Sequence, residues 1–252
     1  MEYNLNHPIV ERKNKTVYRN NDKIIKLFVK GYSKADILNE ALNQARVEEN
    51  TDLNIPKLLE VTKIDDRWAL VSENVEGQTL QELMNKNPSK IDEYLNKFVE
   101  IQLDILSHNV PLLNRIKDKY RRKIDAIKID ENIRYELLQR LEGMERHTKL
   151  CHGDFNPSNI VVKDDGSYYI IDWAHVTQGN ASADVARTYL LFSVENKVEI
   201  ADKYLKLFSE RSGIDIQNIQ KWIPIVAAAQ MEKGIEEEQE FLSKWINVIE
   251  FQ

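Results

Sequence analysis

The chain has 252 residues, 42% of them hydrophobic and 30% charged, with a formal net charge of -6. That is enough apolar material for a sizeable core, and the acidic balance excludes a protein that lives on the phosphate backbone of nucleic acid, where clustered Lys and Arg supply the affinity. The single cysteine, Cys151, excludes an intrachain disulfide framework and fits a reducing compartment such as the cytosol. No stretch nears the roughly 20 apolar residues of a membrane helix, and the first fifteen residues lack the apolar core of a secretion signal, so neither nucleic acid nor membrane is expected as a partner.

Residues 15–29, KTVYRNNDKIIKLFV, read as two short strands about an Asn20-Asn21-Asp22 turn. Ser33 reads as an N-cap with Asp36 three residues on, and Ile37, Leu38, Ala41, Leu42 and Ala45 follow at helical spacing, for a helix of about four turns. Residues 55–75 return to extended patterns with Asp65-Asp66 as the turn, which completes a small α+β unit. After Gly77 the pattern turns helical. Ser89 and Asp92 repeat the capping signature, and Tyr94, Leu95, Phe98, Val99, Gln102, Leu103 and Leu106 mark one helix face. Further helical periods cover 112–128, 132–147, 183–195, 197–212 and 216–249. The basic run 117–123 alternates with apolar positions and reads as the wet face of a helix. With no repeat or Pro-rich linker, the expected organisation is an N-terminal unit, 1–76, and a helical unit, 77–252, that meet near residues 73–80.

One stretch interrupts the helices. In LCHGDFNPSNIVV (150–162) a histidine, an aspartate and two asparagines stand between apolar runs, although such groups are costly to bury. NIVV (159–162) and YYIID (168–172) read as strands joined by the turn KDDGS, so Asp154, Asn159 and Asp172 fall at one end of a hairpin. Carboxylate and amide oxygens are hard ligands suited to Mg²⁺, which prefers one or two protein carboxylates plus substrate phosphates. That combination points to phosphoryl transfer.

HGDFNPSN followed by IIDW resembles the catalytic signature of the aminoglycoside phosphotransferase and choline kinase family, small-molecule relatives of the protein kinases. The spacing of Asp, four residues, Asn also matches the kinase catalytic loop. The resemblance spans essentially the whole chain. It implies a two-lobed protein-kinase-like α+β fold, with a small N-terminal antiparallel sheet and one helix, then a larger, mainly helical lobe. It further implies Mg-dependent transfer of the γ-phosphate of ATP, or of GTP, to a hydroxyl of a small molecule. Carried over by residue, Asp154 would accept or orient the proton of the attacking hydroxyl, Asn159 and Asp172 would hold Mg²⁺, and His152 would support the loop. Lys26, in IIKLF, would contact the α- and β-phosphates, with Glu40 orienting it through an ion pair. In LVSENVEG (70–77) the backbone of Glu73 and Val75 would meet adenine, and Asp184, in ADVAR, would be structural.

Plainer readings compete at several positions. Lys26 could face solvent beside Lys23 and Lys30, Glu40 is one of several glutamates on its helix, and Cys151 and Trp173 read as packing. The chain also departs from the kinase pattern: no glycine precedes Gly31, and ERKNKTVYR stands where a Gly-rich loop would cover the phosphates. Phosphate contacts then fall to Lys13, Asn14, Lys15 or Thr16 and nearby amides. A nucleotide-binding pseudokinase is favoured by that missing loop alone. A metal-dependent phosphohydrolase needs more ligands than this stretch supplies. For the acceptor, EKGIEEEQEF (232–241) with Trp222 and Trp245 suits a cation such as an aminoglycoside or a choline-like amino alcohol. Against this, the glutamates run around more than one helix face, as solvated charge runs do.

Overall fold

The computed structural model describes residues 3–6 and 8–246. By internal packing the chain divides into two units, one made of the residues through Pro88 with Pro157–His175, the other of Ser89–Asn156 with the residues from Val176 onward.

The first unit opens with strands β1 (Pro8–Glu11), β2 (Lys15–Asn20) and β3 (Lys23–Phe28), then helix α1 (Lys34–Asn50) and strands β4 (Leu58–Ile64) and β5 (Arg67–Glu73). They form one antiparallel sheet in the order β1-β2-β3-β5-β4. Both predicted turns are local devices: Asn21 sits at φ 53°, and Asp65 and Asp66 at 48° and 61°, the left-handed region that short hairpins need and that Asn and Asp tolerate. Strand alternation splits the apolar residues between the faces. Ile25, Leu27, Ala69 and Val71 pack on one side, while Phe28 and Leu70 meet Ile37 and Ala41 of α1 on the other. Each fully buried Val, Leu, Ile or Phe side chain among them contributes about 1.5–3 kcal/mol, and the alanines less. Ser33 caps α1 as its spacing requires, with Oγ accepting from the Asp36 amide at 3.3 Å. The buried stripe of α1 runs through Ile37, Ala41, Asn43 and Val47, whereas Leu38 and Leu42 are exposed. Strand β1 is an addition to the expected set: its four residues are all exposed, so no alternation betrays it.

Strand β6 (Gln78–Thr79) leads into α2 (Leu80–Lys86), closed by a capping box between Thr79 and Glu82. Gly77 admits this path, because a Cβ there would collide with the Val162 carbonyl. The second unit then begins with α3 (Ile91–Ser107), α4 (Ile116–Ala126), α5 (Glu131–Gly143) and strand β7 (Lys149–Cys151). The expected Ser89 cap is not formed. Ser89 lies inside a tight 3-10 turn, Pro88–Lys90, so it lacks the extended backbone of an N-cap residue, and Lys90 starts α3 without a side-chain cap bond. The basic run is not uniformly wet either: Lys117 is buried, donating to the Glu142 and Met144 carbonyls at 2.8 and 2.9 Å, where it serves the C-terminal end of α5.

The chain returns to the first unit as the hairpin β8 (Ile160–Val162) and β9 (Tyr168–Ile170), with β8 also pairing with β6. Gly166, at φ 82°, closes the KDDGS turn. The second unit resumes with β10 (Thr177–Gly179), paired with β7, and helices α6 (Ala181–Val194), α7 (Val198–Ser212), α8 (Ile216–Gln220), α9 (Ile223–Met231) and α10 (Glu236–Trp245). The helical period expected over 216–249 is thus three helices, broken near Trp222 with Pro224 at the start of α9, and again at Gly234, φ 66°. Residues 247–249 of that span lie outside the described ones. Nearly every residue of α6 and α9 is buried, which makes them the central helices of this unit. Among the described residues no helix is long and apolar enough to cross a membrane.

Candidate active site

In the first unit, β3, α1 and the end of the β8-β9 hairpin bring three predicted residues together. The Lys26 ammonium donates to Glu40 Oε1 and to Asp172 Oδ1, the latter at 3.0 Å. Neither residue of the first pair is a surface group, since the Lys26 and Glu40 side chains are only 18% and 13% exposed. A fourth residue joins them, with Lys15 Nζ 3.6 Å from Asp172 Oδ2. The register explains it: Val17 opposes Lys26, and Lys15 shares the Val17 face of β2. Burial alone would lower the Lys26 ammonium, but the Asp172 and Glu40 carboxylates outweigh it and hold Lys26 above the ordinary lysine range. Burial likewise works to raise Asp172, yet Lys26 and then Lys15 overcome it and hold the carboxyl well below the usual range. Lys15 itself is lowered, by burial first and by repulsion from Lys26 second.

Asp172 takes a left-handed conformation, φ 63°. The hairpin register, Ile160 opposite Ile170, and the Ile171 amide donating to the Asn159 carbonyl at 3.0 Å bring Asn159 to the same hairpin end as Asp172. Asn159 is 8% exposed. One carboxylate and one carboxamide there are hard oxygen donors and fit Mg²⁺, which keeps waters and binds substrate phosphates. Among the described residues no three His, Cys, Asp or Glu groups gather as a metal cage. Trp173 is packing, as expected: it is buried and donates from Nε1 to the Ile170 carbonyl at 3.1 Å.

Glu73 and Val75 lie at and just past the end of β5. The Glu73 amide is committed to the Lys57 carbonyl at 3.0 Å, whereas the Val75 backbone takes part in no hydrogen bond among the described residues.

In the second unit, β7 delivers the polar loop. His152 is fully buried, its Nδ1 accepts from the Asp154 amide at 3.4 Å, and its ring meets the edge of Phe155 at 5.9 Å, so it braces the loop. Gly153 adopts φ 80°, which turns the chain into Asp154. Phe155 stacks on Phe98 of α3 at 4.4 Å. One face of α6 then holds three successive loop residues. Asp184 Oδ1 accepts from the Gly153 amide at 2.7 Å, the Arg187 guanidinium donates to Asp154 Oδ1 at 3.1 Å, and the Thr188 hydroxyl donates to the Phe155 carbonyl at 2.8 Å. Asp184 is also bonded by Gln102 at 3.3 Å, and burial pushes its carboxyl above the usual range. Asp184 is therefore the structural residue the sequence suggested. Arg187 was missed, although its place three residues after Asp184 puts it on the same helix face. Cys151 is packing: burial, then Asp184, raises its thiol well above the ordinary value.

Of the residues singled out for a cation, Trp222 is 1% exposed and packs against Tyr120, while Trp245 is half-buried against Tyr189 and Phe241. Glu236, Glu237 and Glu240 are exposed on α10, Glu240 pairs with Lys244 at 3.0 Å, and Glu238 accepts from Gln230 at 2.6 Å.

The sequence profile of the phosphotransferase enzyme family matches residues 10–215, and the chain belongs to that family. No curated protein sequence matches it. Among solved structures it is similar to a thermostable mutant of aminoglycoside phosphotransferase APH(4)-Ia in ternary complex with AMP-PNP and hygromycin B, at 12% identity over 97% of this chain and 93% of that one, with a TM-score of 0.71. Aminoglycoside-3'-phosphotransferase of type VIII matches at 14% identity, 90% and 93% coverage and TM-score 0.65. The GDP complex of wild-type aminoglycoside 2'-phosphotransferase-IIIa matches at 17%, 99% and 92%, with TM-score 0.61. These likenesses establish the fold, which is the two-lobed protein-kinase-like α+β fold that the signature implied.

Proposed function

We propose that the protein is an ATP-dependent small-molecule kinase acting in the cytosol, with residues 1–76 as the nucleotide-binding lobe and 77–252 as the catalytic and substrate-binding lobe. The observation that carries the reading is the Lys26 ammonium shared between the Glu40 and Asp172 carboxylates. An ordinary surface lysine gains little from ion pairs, whereas a lysine fixed by a glutamate and facing a metal-binding aspartate is what nucleotide phosphates require. Relatives bound to AMP-PNP or GDP support a nucleotide donor, ATP first and GTP second.

Each group then has a task. Lys26 meets the α- and β-phosphates, and Lys15 supplies the phosphate contact that a Gly-rich loop would otherwise make. The Glu73 carbonyl and Val75 amide receive the purine. Asp172 and Asn159 hold Mg²⁺, which when bound offsets charge on the transferring phosphoryl group. Asp154 orients the acceptor hydroxyl and takes its proton. Little covalent work falls to the protein, so positioning and charge neutralisation carry the rate.

Asp172→Asn removes the one carboxylate of this ligand pair. Turnover is expected to fall, and the magnesium concentration for half-maximal rate to rise by at least about tenfold. An unchanged magnesium titration would take Asp172 out of the metal site.

The acceptor is a hydroxyl-bearing small molecule. We favour a cation, an aminoglycoside or a choline-like amino alcohol, on the strength of the exposed α10 carboxylates, the half-buried Trp245 ring and the hygromycin B bound by one relative. A specific observation favours a second reading. Burial, then repulsion from Lys123 and Arg187, lowers Lys119 to about 7, and burial, then repulsion from Arg187 and Lys123, lowers Lys233; this basic group suits an acceptor with a carboxylate or phosphate. Release of ADP from Mg-ATP, followed with aminoglycosides, amino alcohols, neutral sugars and sugar acids, tests the proposal and separates the two. Turnover on cations whose KM rises with salt supports the first. Turnover confined to neutral sugars discards both charges.

A further inference from the structure

We infer that Arg187 is a positioning residue for Asp154, fixed in turn by Gln230 and Glu238. This rests on the reading of Asp154 as the group that orients the acceptor hydroxyl. The chain of contacts is continuous within the second unit: Glu238 Oε2 on α10 accepts from Gln230 Nε2 at 2.6 Å, Gln230 Oε1 on α9 accepts from Arg187 Nη1 at 2.6 Å, and Arg187 Nη2 on α6 donates to Asp154 Oδ1 at 3.1 Å. The Arg187 and Asp154 side chains are 8% and 24% exposed, and Gln230 is 4% exposed.

A planar guanidinium held at a second point by a buried amide has little freedom left, so it sets where the Asp154 carboxylate points. The same helix holds the residues on both sides of Asp154, through Asp184 to Gly153 and Thr188 to Phe155. Residues 184, 187 and 188 share one face of α6, and 153, 154 and 155 are consecutive. The helix therefore acts as a template for backbone and side chain together, and Arg187 is its only contact of the three that reaches the reactive group. The charge matters as well as the geometry. A guanidinium bonded to the carboxylate is a charge-assisted contact, which fixes its orientation more firmly than a neutral donor would.

The competing account is that Asp154 merely neutralises a buried arginine. Chemical rescue separates the two. In the ADP-release assay with the best acceptor, Arg187→Ala is expected to lower kcat about 100-fold, as small misplacements of reacting groups do, with the KM for ATP within about threefold of wild type. Millimolar guanidinium or methylguanidinium should restore turnover at least about tenfold in Arg187→Ala and not in Asp154→Ala. Arg187→Lys should retain more kcat than Arg187→Ala, and Gln230→Leu should lower kcat with the ATP KM unchanged. An Arg187→Ala enzyme that turns over near the wild-type rate, or one folded and ATP-binding that guanidinium cannot rescue, overturns the inference. Should Arg187→Ala fail to fold, Arg187→Lys and Gln230→Leu decide it: an unchanged kcat in both overturns it. A wild type that phosphorylates no acceptor overturns the proposed function and this role with it, whereas an active wild type with unaffected variants overturns the role alone.

Discussion

Replacing Asp154 with alanine is expected to lower phosphoryl transfer by about 10²- to 10⁴-fold, the range a positioned general base contributes. Nucleotide affinity should stay within about twofold of wild type, because the groups assigned to the nucleotide, Lys26, Lys15, Val75 and Asp172, belong to the other unit. The loop around Asp154 owes its shape to other contacts, from His152, Asp184 and Thr188, so the backbone should survive the change. The alanine does leave the Arg187 guanidinium, 8% exposed, without its carboxylate, and a buried charge stripped of its partner can cost several kcal/mol. Asp154→Asn is the control, since its amide oxygen still accepts from Arg187 while it cannot take a proton. Both variants should bind ATP by calorimetry and fail in the ADP-release assay. Near-normal turnover in Asp154→Asn would remove the residue from the chemistry.

Lys26→Met should damage the nucleotide side. It leaves the Glu40 and Asp172 carboxylates facing each other across the place of their shared cation, and like charges brought that close repel. Two effects are expected. The kcat/KM for ATP should fall about 100-fold or more, because a phosphate contact and the fixed geometry of Asp172 are lost together. The first unit should also lose about 1–3 kcal/mol of stability, less than a fully buried pair would, since water reaches part of the site. Adding Glu40→Gln to Lys26→Met removes one of the two repelling charges, so the double variant should melt above the single one without regaining activity. If Lys26→Met keeps its ATP kinetics, Lys15 is the principal phosphate ligand and the roles of the two lysines are exchanged.

Much of this was legible because the signals are short-range. The Asn21 and Asp65-Asp66 turns, the Ser33 cap and the KDDGS hairpin are each decided by a few adjacent residues whose backbone preferences agree with the fold. The loop from His152 to Asn159 could be read because costly polar groups crowded into an apolar run need a reason. What escaped depends on partners far along the chain. Lys117 looks solvent-facing until α5 ends beside it. Ser89 is a local exception: it has the right neighbour for a cap, but the adjacent Pro88 has already drawn it into a tight turn. Arg187 finds Asp154 across 33 positions of sequence, and Lys15 finds Asp172 only once the β2-β3 register and the second hairpin are both in place. Site residues that act in a single turn could be read directly. Those joined by tertiary packing came only through the family resemblance, as Lys26, Glu40 and Asp172 did, or were missed, as Arg187 was.

The central claim is that Asp154 and the Lys26-Asp172 pair serve one transfer of phosphate to an organic hydroxyl. Its most direct test is to incubate the protein with Mg-ATP labelled in the γ-phosphate and a metabolite extract supplemented with aminoglycosides and amino alcohols, and then to follow the label by mass spectrometry. The account predicts that the label appears on a hydroxyl-bearing small molecule with the wild-type protein and not with Asp154→Asn. A protein that binds ATP yet leaves all label in ATP or inorganic phosphate would contradict it.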